Sequence, residues 1–276
     1  MHNWWYEVKP GQRLYPRKRL IIFAGDRLMY DGPSPFWHGM YPFIDLKLNP
    51  VPWSYYGLST YRPLLPMQDA KLAAQELERM AKFPCMRAVF IAEHILGKNL
   101  HEKEFWPIYE RVEGLGLALT LTNLYPTGPE RMKDYFMINT LGNPQEAGYA
   151  ATSLMCGGVL DAFPKLEVSL PHAGGVLPIL RGRLDRGFHT RAECKTIPRP
   201  PSEYLKRFTY DTISYNEEIM DDLIKLVGID RILMGSDFCF DIAYEEPVKF
   251  VNGMKSLNDA QREKILWSNA ARYLKL

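Results

Sequence analysis

After residue 68 the hydrophobic positions follow a helical period and then a strand period, in repeated succession. The first helix is predicted to begin at its cap, Asp69, and to end at the breaker at 83–84. Its apolar residues recur at spacings of three to four positions: Leu72, Ala73, Leu77 and Met80. A strand at 86–92 follows. The change of period marks the start of an ordered α/β unit.

The same alternation continues to the end of the chain. Strands are predicted before His172 and at 115–122, 208–212 and 231–237. Helices are predicted at 104–114, 144–162, 175–188, 203–207 and 216–227, and at two C-terminal segments, the last opening at Asn258. The long helix at 144–162 is expected to use Gly157 and Gly158 as a small-residue face. Alternating strands and helices predict a parallel sheet with right-handed crossovers.

Two of the predicted strands end at polar residues of complementary chemistry. A short strand stops at His172, and Gly174–Gly175 then allow a tight turn into the next helix. The strand at 231–237 ends at Asp237. In a parallel α/β barrel such strand ends face the active-site mouth. For His172 alone the alternative is a loop residue without function, but an acid at a second strand end points to one shared site.

Residues 1–67 show a different pattern of short strands and turns. The runs at 19–23 and 27–30 flank Gly25–Asp26, which predicts a β-hairpin. The segment is also rich in aromatic and basic residues. Such a composition occurs in nucleic-acid-binding segments, but packing is the more common use of aromatic side chains.

Composition narrows the class of protein. A chain of 276 residues suits one large α/β barrel or two smaller domains, and 46% hydrophobic with 24% charged residues is typical of a globular protein. A net charge of +2 gives no reason to expect a nucleic-acid partner. No apolar run approaches membrane-spanning length and the N-terminus is unlike a signal peptide, so a cytoplasmic location without membrane contact is expected. Four widely spaced cysteines are expected to be free thiols.

The strings "LLPMQDAKLAAQELERM", "FPKLEVSLPHAGG" and "DRILMGSDFCF" keep one order over about 200 residues. In this order they resemble the amidohydrolase-related family, in particular its aminocarboxymuconate semialdehyde decarboxylase branch, over residues 65–276. The resemblance implies a (β/α)8 TIM-barrel-like fold and a homodimer. It also implies decarboxylation or hydrolysis of a small carboxylated substrate, similar to a muconate or an aromatic acid.

The string "RLIIFAGDRLMYDGPSPFWHGMYPF" resembles part of a tailed-phage portal protein. Two units are therefore expected: a β-rich, portal-like segment at 1–67 and an amidohydrolase-like barrel at 68–276. The portal-like segment stands where the first barrel strand belongs. The barrel is accordingly expected to be incomplete or modified there, with residues 19–23 as a candidate to fill the gap.

The family resemblance assigns roles to residues at the strand ends. It implies that Asp237 binds a divalent metal, zinc or manganese, and that His172 is the catalytic acid or base; without metal, Asp237 would serve as the base. The ligand set is incomplete, because Thr122 stands at the position of the third metal-binding histidine and no His-x-His occurs in the chain.

Two further residues are candidates for binding the substrate. The resemblance implies that Arg183 reaches the neighbouring subunit's site and grips a carboxylate, which suits a planar guanidinium. The alternative is a solvated helix arginine. His94 matches a position beside the family's active site, and its alternative is a capping or packing residue.

Two functions of different class remain. The first is an amidohydrolase-family carboxy-lyase or hydrolase. The second is a non-catalytic hybrid protein, with a portal-like N-terminus and a relic site.

Overall fold

The computed structural model describes residues 19–24, 27–33, 65–83, 86–123, 126–237, 240 and 242–276. Most of the segment at 1–67 lies outside these residues, as do positions 25–26 and 34–43 of the portal-like string. Cys85 and Cys239 also lie outside them. The two described cysteines, Cys156 and Cys194, are free thiols, as expected.

A five-stranded sheet lies at the centre of the described structure. Its spatial order is β3, β6, β7, β8, β9, and all four neighbouring pairs are parallel. The strands are β3 (Ala88–Ala92), β6 (Ala118–Thr122), β7 (Glu167–Leu170), β8 (Phe208–Asp211) and β9 (Ile232–Leu233). Strands that follow one another in the chain are neighbours in space, as in a singly wound barrel. The predicted parallel sheet is confirmed.

Helices separate the strands along the chain. They are α1 (Ala70–Met80), α2 (Trp106–Gly114), α3 (Asn143–Cys156), α4 (Val159–Ala162), α5 (Leu177–Thr190), α6 (Glu217–Val227), α7 (Pro247–Gly253), α8 (Asp259–Glu263) and α9 (Asn269–Tyr273). Lys264–Ser268 continues α8 into α9 as one turn of wider π helix. A small hairpin of β4 (His94–Ile95) and β5 (Lys98–Asn99) follows β3.

The predicted helix caps at Asp69 and Asn216 are confirmed. The Asp69 side chain accepts hydrogen bonds from the backbone N–H groups of Lys71 and Leu72, and Asn216 accepts one from Ile219. Such caps satisfy N–H groups that have no partner within the helix. Asn258 opens α8 in the same way, as predicted, with Gln261 completing a capping box.

Four sequence predictions were wrong in detail. The helix predicted at 144–162 breaks into α3 and α4, because Gly158 adopts φ +75° and ends the helical path. Leu72 is half exposed, so α1 buries a narrower face than predicted. The short helix predicted at 203–207 is a 3-10 helix over Pro201–Arg207 with no side-chain cap. The strand predicted at 231–237 pairs only at Ile232–Leu233.

The sheet is packed on both faces in the described region. One face presents alternate residues such as Val89, Leu119 and Val168 to the helices, in a single large apolar cluster. On the other face a smaller cluster joins strand residues to α9: Ala88, Ala118, Leu233, Ala270, Tyr273 and Leu274. The Tyr273 hydroxyl donates a 2.8 Å hydrogen bond to the Leu119 carbonyl, so α9 is fixed against the sheet by polar as well as apolar contacts.

The two strands of the hairpin predicted around Gly25–Asp26 are among the described residues. β1 (Arg19–Ala24) pairs antiparallel with β2 (Arg27–Pro33) in a two-stranded sheet of their own. Among the described strands β1 pairs only with β2. The prediction that residues 19–23 fill the place of a first barrel strand stays a prediction.

The described strands and helices form a TIM-barrel-like α/β fold with a parallel sheet, five strands of which are described. Within the same residues, no helix has both the length and the apolar character to cross a membrane.

Gly175, in the turn between β7 and α5, is a position where only glycine fits. Its φ is +57°, and a Cβ there would lie 1.9 Å from the carbonyl oxygen of Pro144. We expect Gly175→Ala to lower the free energy of unfolding by at least about 2 kcal/mol in chemical denaturation, because backbone strain and a backbone clash add.

Gly182→Ala is the matched control, because Gly182 lies inside α5 with nothing within 4 Å of the added Cβ. It should raise the free energy of unfolding by up to about 1 kcal/mol. Equal stability of the two variants would contradict the close approach of the turn to α3.

Candidate functional site

The carboxyl ends of the five parallel strands meet at one edge of the sheet, and a polar residue lies within four positions of each end. These residues are Glu93, Asn123, His172, Asp211 and Asp237. Neighbouring strands lie about 4.8 Å apart, so these residues follow one another along the edge in the same order as their strands. Active sites of α/β barrels are built at this edge.

His172 lies in a turn with an unusual backbone. The residue follows Pro171 at the tip of β7, and both His172 and Ala173 have φ of 53°, in the left-handed region. The Gly174 N–H donates to the Pro171 carbonyl at 2.9 Å, which closes the turn. Strained backbone of this kind costs of order 1–3 kcal/mol per residue and persists only where surrounding contacts hold it.

The Asp211 carboxylate provides those contacts. Oδ2 accepts a hydrogen bond from the His172 N–H at 3.1 Å, and Oδ1 accepts one from the Ala173 N–H at 2.8 Å. Oδ1 also accepts from the Ile213 N–H at 3.0 Å. Burial raises the pKa of Asp211 to about 6, while these three donors act in the opposite direction by stabilising its charge.

His172 and Asp237 are neighbours, as predicted from their strand ends. Burial lowers the pKa of His172 below its ordinary value, and the negative charge of Asp237 opposes part of that shift. Burial raises the pKa of Asp237, and His172 opposes that shift in turn. Both shifts disfavour the charged forms. The difference in free energy between the ion pair and the neutral pair is therefore reduced relative to water.

One ring nitrogen of His172 has no hydrogen-bond partner among the described residues. Nδ1 is buried and accepts or donates no hydrogen bond within the described part of the chain. A buried polar atom without a partner is uncommon and marks a position where a further group can bind.

An aromatic row lies beside Asp237. The Tyr215 hydroxyl donates a 3.3 Å hydrogen bond to Asp237 Oδ2. The Tyr215 ring lies 4.6 Å from that of Tyr244, which stacks on Phe250 at 4.8 Å. Tyr215 is 41% exposed, so part of its side chain remains open to a ligand.

A second polar network lies at the ends of β3 and β6. Glu93 is 2% exposed and accepts a hydrogen bond from the Asn123 amide, which also donates to the Asn143 carbonyl at 3.0 Å. Glu146, in α3, accepts from the Thr127 N–H at 2.8 Å. Burial, and then the charge of Glu146, raise the pKa of Glu93 to about 9. Glu93 is therefore protonated at neutral pH and ties the strand ends to the start of α3.

The described residues do not fit a metal ion. No group of three or more histidine, cysteine or acidic side chains is arranged to hold one within the described ranges. Thr122, at the position of the expected third histidine, ends β6 opposite Ala92. Asp237 is engaged by Tyr215 and His172 instead.

His94 makes a local hydrogen bond, and Arg183 has an exposed position on α5. His94 Nδ1 accepts a 3.2 Å hydrogen bond from the Gly97 N–H across the β4–β5 hairpin, which is a local capping contact. Arg183 lies on the exposed surface of α5. The substrate-binding roles of both residues stay predictions.

Sequence reasoning missed Asp211, Tyr215 and Glu93. Asp211 had a usable signal, since it is an acid at the end of a predicted strand, like Asp237. Glu93 also follows a predicted strand. Tyr215 had none, because its contact with Asp237 joins residues 22 positions apart in two different loops.

Comparison with known proteins agrees with this geometry. A family profile described as "Amidohydrolase" matches residues 61–276. The chain belongs to the amidohydrolase family. The match overlaps the end of the segment predicted at 1–67.

Relatives within the amidohydrolase family include named decarboxylases. The 2-amino-3-carboxymuconate-6-semialdehyde decarboxylase of Dictyostelium discoideum is 30% identical over 82% of this chain and 62% of its own length. Gamma-resorcylate decarboxylase of Polaromonas sp. is 31% identical over 77% of this chain and 69% of its own length. A dihydroxybenzoic acid decarboxylase from Polaromonas sp., solved with manganese and 2-nitroresorcinol, has a TM-score of 0.67 and 28% identity. It covers 78% of this chain and 69% of that chain.

The chain spans less than two thirds of the first curated relatives that it matches, 62% and 59% of their lengths.

The raised pKa of Glu93 predicts how stability depends on pH. Between its unfolded value, near 4.5, and about 9, the unfolded chain releases this proton and the folded chain keeps it. Wild-type stability should therefore fall as pH rises from 6 to 9, by up to about 1.4 kcal/mol per pH unit from this group. Glu93→Gln, which stays neutral, should lack this contribution in chemical denaturation at each pH.

Glu110→Gln, on the exposed side of α2, is the control and should keep the wild-type pH dependence. The same pH dependence in Glu93→Gln as in wild type would show that Glu93 is ionised in the folded protein.

Proposed function

We propose that this protein is a decarboxylase of a small aromatic or muconate-type carboxylic acid. The observation that carries the proposal is the His172–Asp237 pair at the carboxyl edge of the sheet. Burial disfavours the charged form of each group there, so the pKa of His172 is lowered and that of Asp237 is raised. The named decarboxylases among the relatives support this reaction over hydrolysis, and support an enzyme over the non-catalytic hybrid.

Decarboxylation by carbon protonation needs one proton delivered to one carbon. The carbon that bears the carboxylate takes the proton, the bond to the carboxylate breaks with its electron pair left on that carbon, and CO2 leaves. Protonated His172 is a suitable donor, because burial lowers its pKa and so strengthens it as an acid. We infer that Asp237 stabilises the charged imidazole, because its negative charge raises the pKa of His172.

The surroundings of Asp237 support an aromatic or conjugated planar substrate. Tyr215 offers a partly exposed ring beside the pair, backed by Tyr244 and Phe250. Offset stacking between aromatic rings contributes about 0.5–1.5 kcal/mol beyond burial alone. We infer that a planar acid lies against Tyr215 with its carboxylate-bearing carbon towards His172.

Arg183 and His94 complete the proposal for substrate binding. An exposed guanidinium on α5 is accessible to a second molecule of the chain, as the expected carboxylate clamp across a homodimer requires. His94 follows Glu93 in the sequence and begins β4. Its Nδ1 already accepts a hydrogen bond from the Gly97 N–H. The dimer and the cytoplasmic location stay predictions.

Divalent metal is present in the solved Polaromonas relative. In this chain Asp237 is the one residue at which the sequence matches the expected ligands, and the described side chains assemble no ligand group around it. The proposed proton transfer accordingly uses His172 and Asp237 alone.

Substitution at the pair should remove activity without unfolding the protein. We expect His172→Gln and Asp237→Asn each to lower kcat at least about 100-fold, since each removes a group that handles the proton. The measurement is CO2 release from 2,6-dihydroxybenzoate and from a panel of hydroxybenzoate-type and muconate-type acids.

His189→Gln is the control for His172→Gln, because His189 is an exposed histidine near the end of α5. It should keep wild-type kcat. A wild-type protein inert towards every acid of the panel, or a His172→Gln variant as active as wild type, would contradict the proposed function.

Metal removal tests the fit of the ligand set separately. Elemental analysis should find zinc and manganese well below one ion per chain, and treatment with a chelator should leave kcat unchanged. A stoichiometric metal that is lost in Asp237→Asn, together with activity, would show that residues outside the described ranges complete a metal site.

A further inference from the structure

Asp211 lies between the two strand ends that carry the proposed catalytic pair. Its strand, β8, is the neighbour of both β7 and β9 in the sheet. His172 follows β7 and Asp237 follows β9. A side chain at the end of β8 can therefore contact both segments at once.

The contact with the β7 side is made by hydrogen bonds to backbone. Asp211 accepts the N–H groups of His172 and Ala173, at 3.1 Å and 2.8 Å. Both donors belong to residues with φ of 53°. Hydrogen bonds to a carboxylate are stronger than bonds between neutral groups, so they can hold a turn that is unfavourable on its own.

The contact with the β9 side is close packing. A Cβ at Gly235 would lie 2.9 Å from the Asp211 Cβ, so the backbone two residues before Asp237 approaches Asp211 directly. Thr212 holds the two segments at this distance, because its hydroxyl accepts a 3.0 Å hydrogen bond from the Gly235 N–H. Asp211 is also near enough to Asp237 to contribute to the raised pKa of that carboxyl.

We propose that Asp211 is a positioning residue: its carboxylate holds the His172 turn and packs against the backbone before Asp237, and so sets the relative placement of the imidazole and the acid. The role is indirect, because Asp211 acts through the backbone of the residues that handle the proton. This inference rests on the proposed decarboxylase function for its catalytic consequence, whereas the hydrogen bonds to the turn can be tested without activity.

The test is Asp211→Asn. The asparagine side chain keeps one oxygen, which can still accept hydrogen bonds from the Ala173 and Ile213 N–H groups. An NH2 group replaces Oδ2 and cannot accept from the His172 N–H, so the hydrogen bond to His172 is lost. The chain contains six histidines, so protein labelled with 15N-histidine gives at most six backbone amide signals. The signal that disappears in His172→Gln identifies His172.

Two results are expected in Asp211→Asn. The His172 amide signal should move upfield and exchange with solvent at least about tenfold faster, because its carboxylate partner is gone. With the acid that wild type turns over, kcat should fall at least about tenfold while KM stays within about twofold, because the loss is in placement of the proton donor and not in binding.

Thr209→Val is the matched control on the same strand. Thr209 is fully buried and its hydroxyl donates to the Val168 carbonyl, away from the His172 turn. This variant should lose stability but keep the His172 amide signal and kcat. An equal fall of kcat in Thr209→Val would overturn the inference, since the effect would then be general destabilisation.

The remaining outcomes are also decisive. An unchanged His172 amide in Asp211→Asn would show that the carboxylate does not hold the turn, and would overturn the inference. A shifted amide with wild-type kcat would overturn the positioning role. If wild type decarboxylates none of the acids, the proposed function fails, and the amide signal alone decides whether Asp211 holds the turn.

Discussion

Three backbone N–H groups converge on the carboxylate of Asp211, and the geometry of the strand-end edge depends on that convergence. Parallel pairing brings the ends of β7, β8 and β9 to the same edge, but it does not fix the backbone beyond the last paired residue. The residues that matter chemically lie in that unpaired region. The buried Asp211 carboxylate on the middle strand orders the turn after β7 and the start of the segment after β8, because one side chain satisfies donors from both.

Burial then determines the protonation of the site. Glu93, Asp211 and Asp237 are carboxyls whose pKa is raised by removal from water, and the pKa of His172 is lowered for the same reason. Burial thus disfavours the charged form of each of these four groups, while three backbone hydrogen bonds stabilise the charge of Asp211. Groups of this kind exchange protons at modest cost in free energy, which is the property that acid–base chemistry on a substrate needs.

Sequence predicted those parts of the structure that depend on local chemistry. The caps at Asp69, Asn216 and Asn258 were found because a capping side chain bonds to N–H groups within three residues. His172 was found because a strand signal stops at a polar residue just beyond β7. Asp237 was found through a predicted strand that proved shorter than expected, and the pairing of β8 with both β7 and β9 still brings the two segments to one edge.

Features that depend on distant contacts were not predicted. The bonds from the His172 turn to Asp211 join positions 38 and 39 residues apart, and no local pattern contains them. The role expected of Gly157 was wrong for a similar reason: Gly157 lies against His101, where a Cβ would come within 2.0 Å of the imidazole-bearing carbon, so this glycine serves a tertiary contact.

The most direct test of the account is a crystal structure of the protein with 2,6-dihydroxybenzoate bound. The account predicts that the acid lies at the carboxyl edge of the sheet, with its carboxylate-bearing carbon near the His172 imidazole and its ring against Tyr215, and with Asp237 beside the imidazole. An acid bound elsewhere, or His172 and Asp237 facing separate cavities, would contradict it.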